Sequence, residues 1–301
     1  MAPLSTTRAR RFSVTAGLAV AALALSACGS GSSTPEAPKV AAKPSFEAGT
    51  TMAKISAAGK IKVGTKFDQP GFGLKALDGK LTGFDVEVAK IIAGAMGVTA
   101  EKIEYVESPS KVREEVIEKG TVDLVSATYT INEKRKERIT FAGPYYVAGQ
   151  QLMVKNDNAK IKGPADLKAN ADQKVCSVTG STPSEQIKKY LANPVTQLVL
   201  FDGYDKCAAS LRTGQVQVVT TDNVILLGFV AKSNKDFKLV GEQFTQEPYG
   251  IGIKKGDVKF CEFINKTLRE NEAAYDKAWA DTAGKVEGAS KAKLPSAAPC
   301  A

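Results

Sequence analysis

The chain has 301 residues, 43% of them apolar and 24% charged, and it contains no histidine. That length favours two lobes over one domain, and the missing histidine excludes Ser-His-Asp and Cys-His catalysis and every histidine-based zinc site. The net charge of +9 does not point to nucleic acid, because the lysines are scattered among acids and only the short cluster Lys134–Arg138 is concentrated.

In chain order, Arg8, Arg10 and Arg11 precede an apolar run from Val14 to Leu25. Leu25-Ser26-Ala27-Cys28 follows, and the whole has the layout of a secretory signal over residues 1–27. Removing it takes away three positive charges and no acids, so +9 becomes +6. The segment is too short for a comfortable transmembrane helix. A cysteine directly after small residues resembles the bacterial lipobox, which makes Cys28 the expected lipidation site. The alternative is an ordinary signal peptide with an incidental cysteine. Residues 28–45, rich in Gly, Ser, Pro and Ala, are expected to form a disordered tether. The folded part is then expected outside the cell, held at the outer face of the membrane by lipid alone.

Export also interprets the other cysteines. Cys176, Cys207, Cys261 and Cys300 are an even number in a disulfide-permissive compartment, and three pairings are open. Cys176–Cys207 and Cys261–Cys300 are favoured because each pair is nearest in sequence. Free buried thiols are the alternative. No C-x-x-C spacing occurs, so neither a metal nor a cofactor is expected.

The body alternates strands and helices. Lys60–Gly64 reads as a strand and Leu77-Asp78-Gly79-Lys80 as a hairpin turn. Asp85 looks like an N-cap, before a helix that Gly97 stops. Ile103–Val106 is a strand, Val112–Lys119 a short helix and Val122–Val125 a third strand. A similar set follows: a helix from Pro164, a strand over Lys174–Val178 and a helix over Ser184–Leu191. A strand over Leu198–Phe201, a helix over Gly203–Arg212 and a strand over Gln217–Thr220 complete it. Phe260, Ile264, Leu268, Tyr275 and Trp279 fit one helical stripe and are expected to be core. This alternation implies an α/β fold.

The run from Ala127 to Tyr146 carries the most chemistry. Thr128 and Thr130 precede Arg135, and a planar guanidinium beside hydroxyls makes a carboxylate receptor. The bland alternative is a solvated helix end before an ordinary strand. Thr221-Asp222 ends a strand at the carboxyl edge, where open α/β sheets bind ligands. For Asp222 the alternative is a helix N-cap.

Several motifs in order give the chain a resemblance to the family-3 extracellular solute-binding proteins, the amino-acid-binding components of ABC importers. They include Val63-Gly64-Thr65, Gly83–Ala89, Val122–Val125, Thr128–Arg135, Phe141–Tyr146, Gly180-Ser181-Thr182, Thr221-Asp222 and Tyr249–Ile253. The stretch Gly64–Gly73 is most similar to glutamate-binding lipoproteins. The resemblance implies a two-lobe periplasmic-binding-protein (type II) Venus-flytrap fold of class α/β. Lobe 1 would be discontinuous, residues 46–146 plus 248–301, and lobe 2 would span 147–247. Hinges would lie near Tyr146–Gly149 and Thr245–Pro248.

The resemblance also implies a ligand set. Arg135, Thr130, the backbone near Thr128, Ser181 and Thr182 would take an α-carboxylate, and Asp222 the α-ammonium. Lys66, Ser110 and Arg113 would take a distal carboxylate, with Phe67 and Tyr129 against the methylenes. For Arg113 the alternative is an exposed helical arginine. Permease subunits of an ABC transporter would be the partners of a monomeric, non-enzymatic chain. Glutamine, aspartate or asparagine binding is the runner-up. An enzyme on the same scaffold, a transglycosylase or a dehydratase, is the rival of another class, and a sensor or adhesion lipoprotein is a third.

Overall fold

The computed structural model describes residues 39–42, 44–290 and 292–300. The leader, Cys28 and the first part of the expected tether lie outside the described residues. The last part of that tether lies on the protein body: Ala41 N–H donates to Gly94 O at 2.9 Å.

Strands β1 (Ile61–Thr65), β2 (Asp68–Gln69), β3 (Gly73–Lys75), β4 (Leu81–Thr82), β5 (Ile103–Glu107), β6 (Leu124–Val125) and β7 (Ile139–Ala148) come first. Strands β8 (Gln150–Lys155), β9 (Val175–Val178), β10 (Leu198–Phe201), β11 (Val218–Asp222) and β12 (Phe237–Val240) follow, and β13 (Glu247–Lys254) is last. They assemble into a sheet of order β5-β1-β6-β13-β7 and a second of order β10-β9-β11-β8-β12. A small antiparallel sheet, β2-β3-β4, contains the expected hairpin. In each of these five-stranded sheets one strand, β13 or β8, runs antiparallel to the other four. These are the sheets of two lobes with one plan, and lobe 1 is discontinuous because β13 returns to it.

β7 and β13 pair antiparallel from Ile139 opposite Lys254 to Ala148 opposite Glu247. Only Gly149 separates β7 from β8, so this ribbon leads out of one sheet into the other. The second crossing is tied down by Gln150 N–H, which donates to Thr245 Oγ1 at 3.0 Å.

The helices are α1 (Thr51–Ala58), α2 (Phe84–Ala95), α3 (Arg113–Glu118), α4 (Glu133–Lys136), α5 (Thr182–Gln186), α6 (Pro194–Gln197), α7 (Tyr204–Thr213), α8 (Asn223–Ala231), α9 (Val258–Glu270) and α10 (Glu272–Asp281). Three differ from expectation. The segment at Pro164–Leu167 is a single 3-10 turn. The helix expected over Ser184–Leu191 starts earlier, capped by Ser181 Oγ, and tightens into a 3-10 turn at Ile187–Tyr190. The last helix breaks at Asn271, which leaves helical geometry at φ −116° and ψ 33°. The stripe Phe260, Ile264, Leu268, Tyr275 and Trp279 is nonetheless buried throughout.

Lobe 1 is filled by one aromatic cluster. Trp279 stacks on Tyr146 with centroids 4.9 Å apart and meets the edge of Phe84 at 5.1 Å. Such pairs contribute about 0.5–1.5 kcal/mol each beyond their buried area. Lobe 2 has a core on each face of its sheet, and strand alternation assigns them: Leu152 and Val154 pack on one face, Met153 on the other. Both favoured disulfides are formed. Cys176–Cys207 fastens α7 to β9 with Cα atoms 5.6 Å apart, and Cys261–Cys300 fastens the C-terminal segment to α9 at 5.9 Å. Among the described residues no helix is long and apolar enough to cross a membrane.

Candidate functional site

The site forms where the carboxyl ends of the two parallel strand sets face each other. β1 delivers Lys66, and the loop after β6 delivers Thr128, Tyr129 and Thr130. α3 begins at Arg113 and α4 carries Arg135. From lobe 2, β9 runs into Gly180-Ser181-Thr182 and β11 ends at Asp222.

Arg113 is 2% exposed, which removes the exposed-arginine alternative. Its Nη1 donates to Ala127 O at 2.7 Å, and its guanidinium lies 4.1 Å from the Tyr129 ring centroid. Arg135 lies 5.0 Å from the same ring, so Tyr129 stacks with both cations. Arg135 Nη1 donates to Thr130 O at 2.7 Å, and Nε pairs with Glu114 at 3.2 Å. Its Nη2 crosses the cleft to Gly180 O at 3.2 Å. Burial, reinforced by Arg113, brings the Arg135 pKa down to about 10.

The loop between these arginines is strained. Thr128 has φ 45°, a left-handed conformation rare for a β-branched residue. Asp85 explains how it is held. This residue does not cap α2 as expected; it is fully buried and accepts the Thr128 N–H at 2.8 Å and the Tyr145 hydroxyl. The Thr128 hydroxyl donates to Gln69 Oε1 at 3.0 Å. Backbone near Thr128 was expected to donate to a ligand; the Thr128 N–H itself already serves this buried carboxylate. Desolvation still pushes the Asp85 pKa up to about 6.

Asp222 occupies the N-cap position of α8, yet its side chain makes no cap bond. Its Oδ2 accepts the Tyr249 hydroxyl at 2.5 Å, which rejects the simple N-cap alternative. Burial, with the nearby Glu247 charge, pushes its pKa up to about 7. Lys66 is 2% exposed, and burial brings its pKa down to about 8. Thr182 Oγ1 lies 2.7 Å from Glu247 Oε2 and 3.3 Å from Thr130 Oγ1. Ser181 is committed to capping α5 through Ser184 N–H. Phe67 is half-buried, with Lys75 5.0 Å from its ring centroid.

Residues of both lobes line two cavities. One of about 570 Å³ includes Ser110, Thr130, Arg135, Ser181, Thr182 and Glu247. One of about 240 Å³ includes Lys66, Phe67, Asp68, Glu107 and Gly203. Lys66 and Arg135 line different cavities, yet the charge of Arg135 still helps to lower the Lys66 pKa. Among the described residues, the charged and amide side chains here leave four buried polar atoms without a hydrogen-bond partner, Lys66 Nζ, Gln69 Nε2, Arg113 Nε and Asp222 Oδ1, and the hydroxyls of Thr65, Tyr129, Tyr204 and Thr221 lack one too. Buried polar groups are normally satisfied. Three donors from lobe 1 and one acceptor from lobe 2 are what a small, partly anionic zwitterion satisfies. The described residues contain no group of His, Cys, Asp or Glu side chains suited to a metal ion.

Sequence reasoning missed Asp85, Glu114, Glu247 and Tyr249. Asp85 was disguised by its place in a helix's first turn. Glu247 had no signal beyond lying before Pro248.

Residues 61–279 match the family model for bacterial extracellular solute-binding proteins, family 3. The glutamate-binding protein GluB of Corynebacterium glutamicum is 41% identical over 219 residues, 70% of this chain and 73% of that protein. The ABC transporter glutamine-binding protein GlnH of Bacillus subtilis is 38% identical over 259 residues, 85% of this chain and 90% of that one. Among solved structures, an ancestral arginine-binding protein bound to glutamine has a TM-score of 0.69 and 37% identity, covering 75% of this chain and 99% of that one.

Proposed function

Because this chain belongs to the bacterial extracellular solute-binding proteins of family 3, we propose that it is the lipid-anchored binding component of an ABC importer, capturing an acidic amino acid, glutamate first, between its lobes. The observation that carries this reading is the unpartnered set Lys66, Gln69, Arg113 and Asp222. Two of its donors are cations, and together they outweigh what one α-carboxylate requires. A second carboxylate on the ligand accounts for the surplus.

In this reading Arg135 and Thr130 take the α-carboxylate, with Ser181 and Thr182 completing it from lobe 2. Asp222 Oδ1 takes the α-ammonium. Lys66, Ser110 and Arg113 face the distal carboxylate, with Phe67 and Tyr129 beside the methylenes. The lobes are 46–146 plus 248–301 and 147–247, and the β7–β13 ribbon is where they swing. A ligand that touches both lobes stabilises the closed state. Cys28 carries the lipid, and a permease receives the monomeric, loaded protein. The cleft acids favour a binder over an enzyme. Asp85, Glu114 and Glu247 already hold partners, and Asp222 keeps one buried oxygen open to an ammonium.

A thermal-shift screen over the amino acids tests the substrate. Glutamate at a hundred times its Kd should add about 2.7 kcal/mol of apparent stability. Arg113→Ala should weaken glutamate more than glutamine in calorimetry. Glutamine shifting the protein while glutamate does not would replace the acidic reading with the glutamine reading that GlnH suggests.

A further inference from the structure

We infer that Asp68 is a positioning residue for capture: carried by lobe 1, its carboxylate caps helix α7 of lobe 2 and latches the closed cleft. The inference rests on the two-lobed clamp proposed above, and it does not depend on which amino acid the clamp holds.

The geometry around the start of α7 supports it. Helix α7 is ten residues long and its N-cap is Gly203, which has no side chain with which to cap. A helix start leaves its first N–H groups without internal partners. Asp68 Oδ2 accepts one of them, the Tyr204 N–H, at 2.7 Å, across 136 residues of sequence and from the other lobe. Gly203 also leaves the room for this. A Cβ there would stand 2.4 Å from Asp205 Oδ1 and 3.3 Å from Asp68 Oδ2, so an ordinary capping residue would crowd the bond.

The loop that carries Asp68 is gripped on its other side too. A Cβ on Gly228 of α8 would meet Pro70 O at 2.4 Å, so α8 approaches this loop at backbone distance. The turn after β1 therefore sits between α7 and the helix that follows Asp222. Tyr204, whose amide takes the latch, also holds its ring 5.9 Å from Lys66 Nζ. Closing the lobes thus exchanges water for a carboxylate at a helix N-terminus, where negative charge is favoured. A cap of this kind is equivalent to roughly 3- to 30-fold in a closing equilibrium.

Asp68 also lies near Lys66, so a rival role is to offset that cation's charge. Two variants of the full chain separate the roles, using calorimetry with L-glutamate and L-glutamine and hydrogen exchange at the Tyr204 amide. Asp68→Ala should weaken both ligands by the same 3- to 30-fold and strip the Tyr204 amide of its protection in the liganded protein. Asp68→Asn keeps an oxygen acceptor, so it should retain most of the affinity and the protection. Unchanged affinity and protection in Asp68→Ala would overturn the latch. So would an Asn variant that loses as much affinity as Ala while Tyr204 stays protected, because charge beside Lys66 would then be the cause. An unaltered chain that binds no amino acid would sink the proposed function alone. The latch would still be read from the Tyr204 amide: faster exchange in Asp68→Ala supports it, and equal exchange overturns it.

Discussion

Lobe 1 brings three buried cations to the cleft, Lys66, Arg113 and Arg135, whereas lobe 2, built in the same strand order, brings hydroxyls, backbone groups and one open carboxylate oxygen on Asp222. Burying a charge is costly unless it is paired and hydrogen-bonded. For the two arginines lobe 1 offsets that cost before any ligand arrives, through the Tyr129 ring, the carbonyls of Ala127 and Thr130, and Glu114, whereas Lys66 Nζ is left without a hydrogen-bond partner. The difference divides the work. Lobe 1 is a preorganised receptor for anionic groups, and lobe 2 adds the ammonium acceptor and the contacts that come with closing.

The largest break in this division should come from Arg135→Ala. Removing one partner of a desolvated charge pair costs about 2–5 kcal/mol, so glutamate affinity should fall roughly 30-fold to several thousand-fold in calorimetry. Unchanged affinity would end the α-carboxylate assignment. Asp222→Asn takes the charge from the lobe 2 side and should cost roughly 10- to 150-fold, the worth of a hydrogen bond to a charged group. A smaller loss than from Thr182→Val would mean that lobe 2 does not meet the ammonium through Asp222.

Titration sharpens the comparison next. The raised pKa of Asp222, about 7, means that the ligand-free fold holds a proton there at pH values where the unfolded chain does not. Stability from this group therefore declines as pH climbs from about 4 towards about 7. Binding an ammonium requires the ionised form, so affinity should rise over that interval by at most about tenfold per pH unit. Lys66 works in the opposite direction. Its pKa is lowered to about 8, so glutamate affinity should fall above that pH while glutamine affinity holds. Calorimetry of both ligands from about pH 5 to 9 reads both limbs, and a flat profile in Asp222→Asn below about pH 7 assigns the acid limb. The smallest effect belongs to Thr182→Val, which removes a neutral hydroxyl and should cost roughly 2- to 12-fold.

Much of this was legible in the sequence because period and punctuation were unambiguous. Gly64, Gly97 and Gly180 stand close to the ends of elements, as the pattern has them, and the buried stripe from Phe260 to Trp279 keeps its spacing despite the break at Asn271. The cations of the cleft were legible through motif order. Their partners were not. Asp85 and Asp222 both look like helix caps, and local spacing cannot reveal that tertiary hydroxyls, Tyr145 and Tyr249, draw both carboxylates elsewhere. Glu247 and Asp68 act through contacts with Thr182 and Tyr204 that are remote in sequence, and no local periodicity encodes those.

The strand order has a consequence for how the chain matures. β13 is an interior strand of the first sheet, hydrogen-bonded to β6 and β7, yet the whole of the second sheet is made before it. A chain emerging from its amino end completes the second sheet once β12 is out, while the first still lacks a central strand. Lobe 1 must wait, its sheet open and its aromatic core unfinished, until β13 and the Trp279 of α10 arrive. The lobe with the stronger charge assembly is thus the last to form, and its long-range closure is the step that a holding chaperone would have most reason to guard.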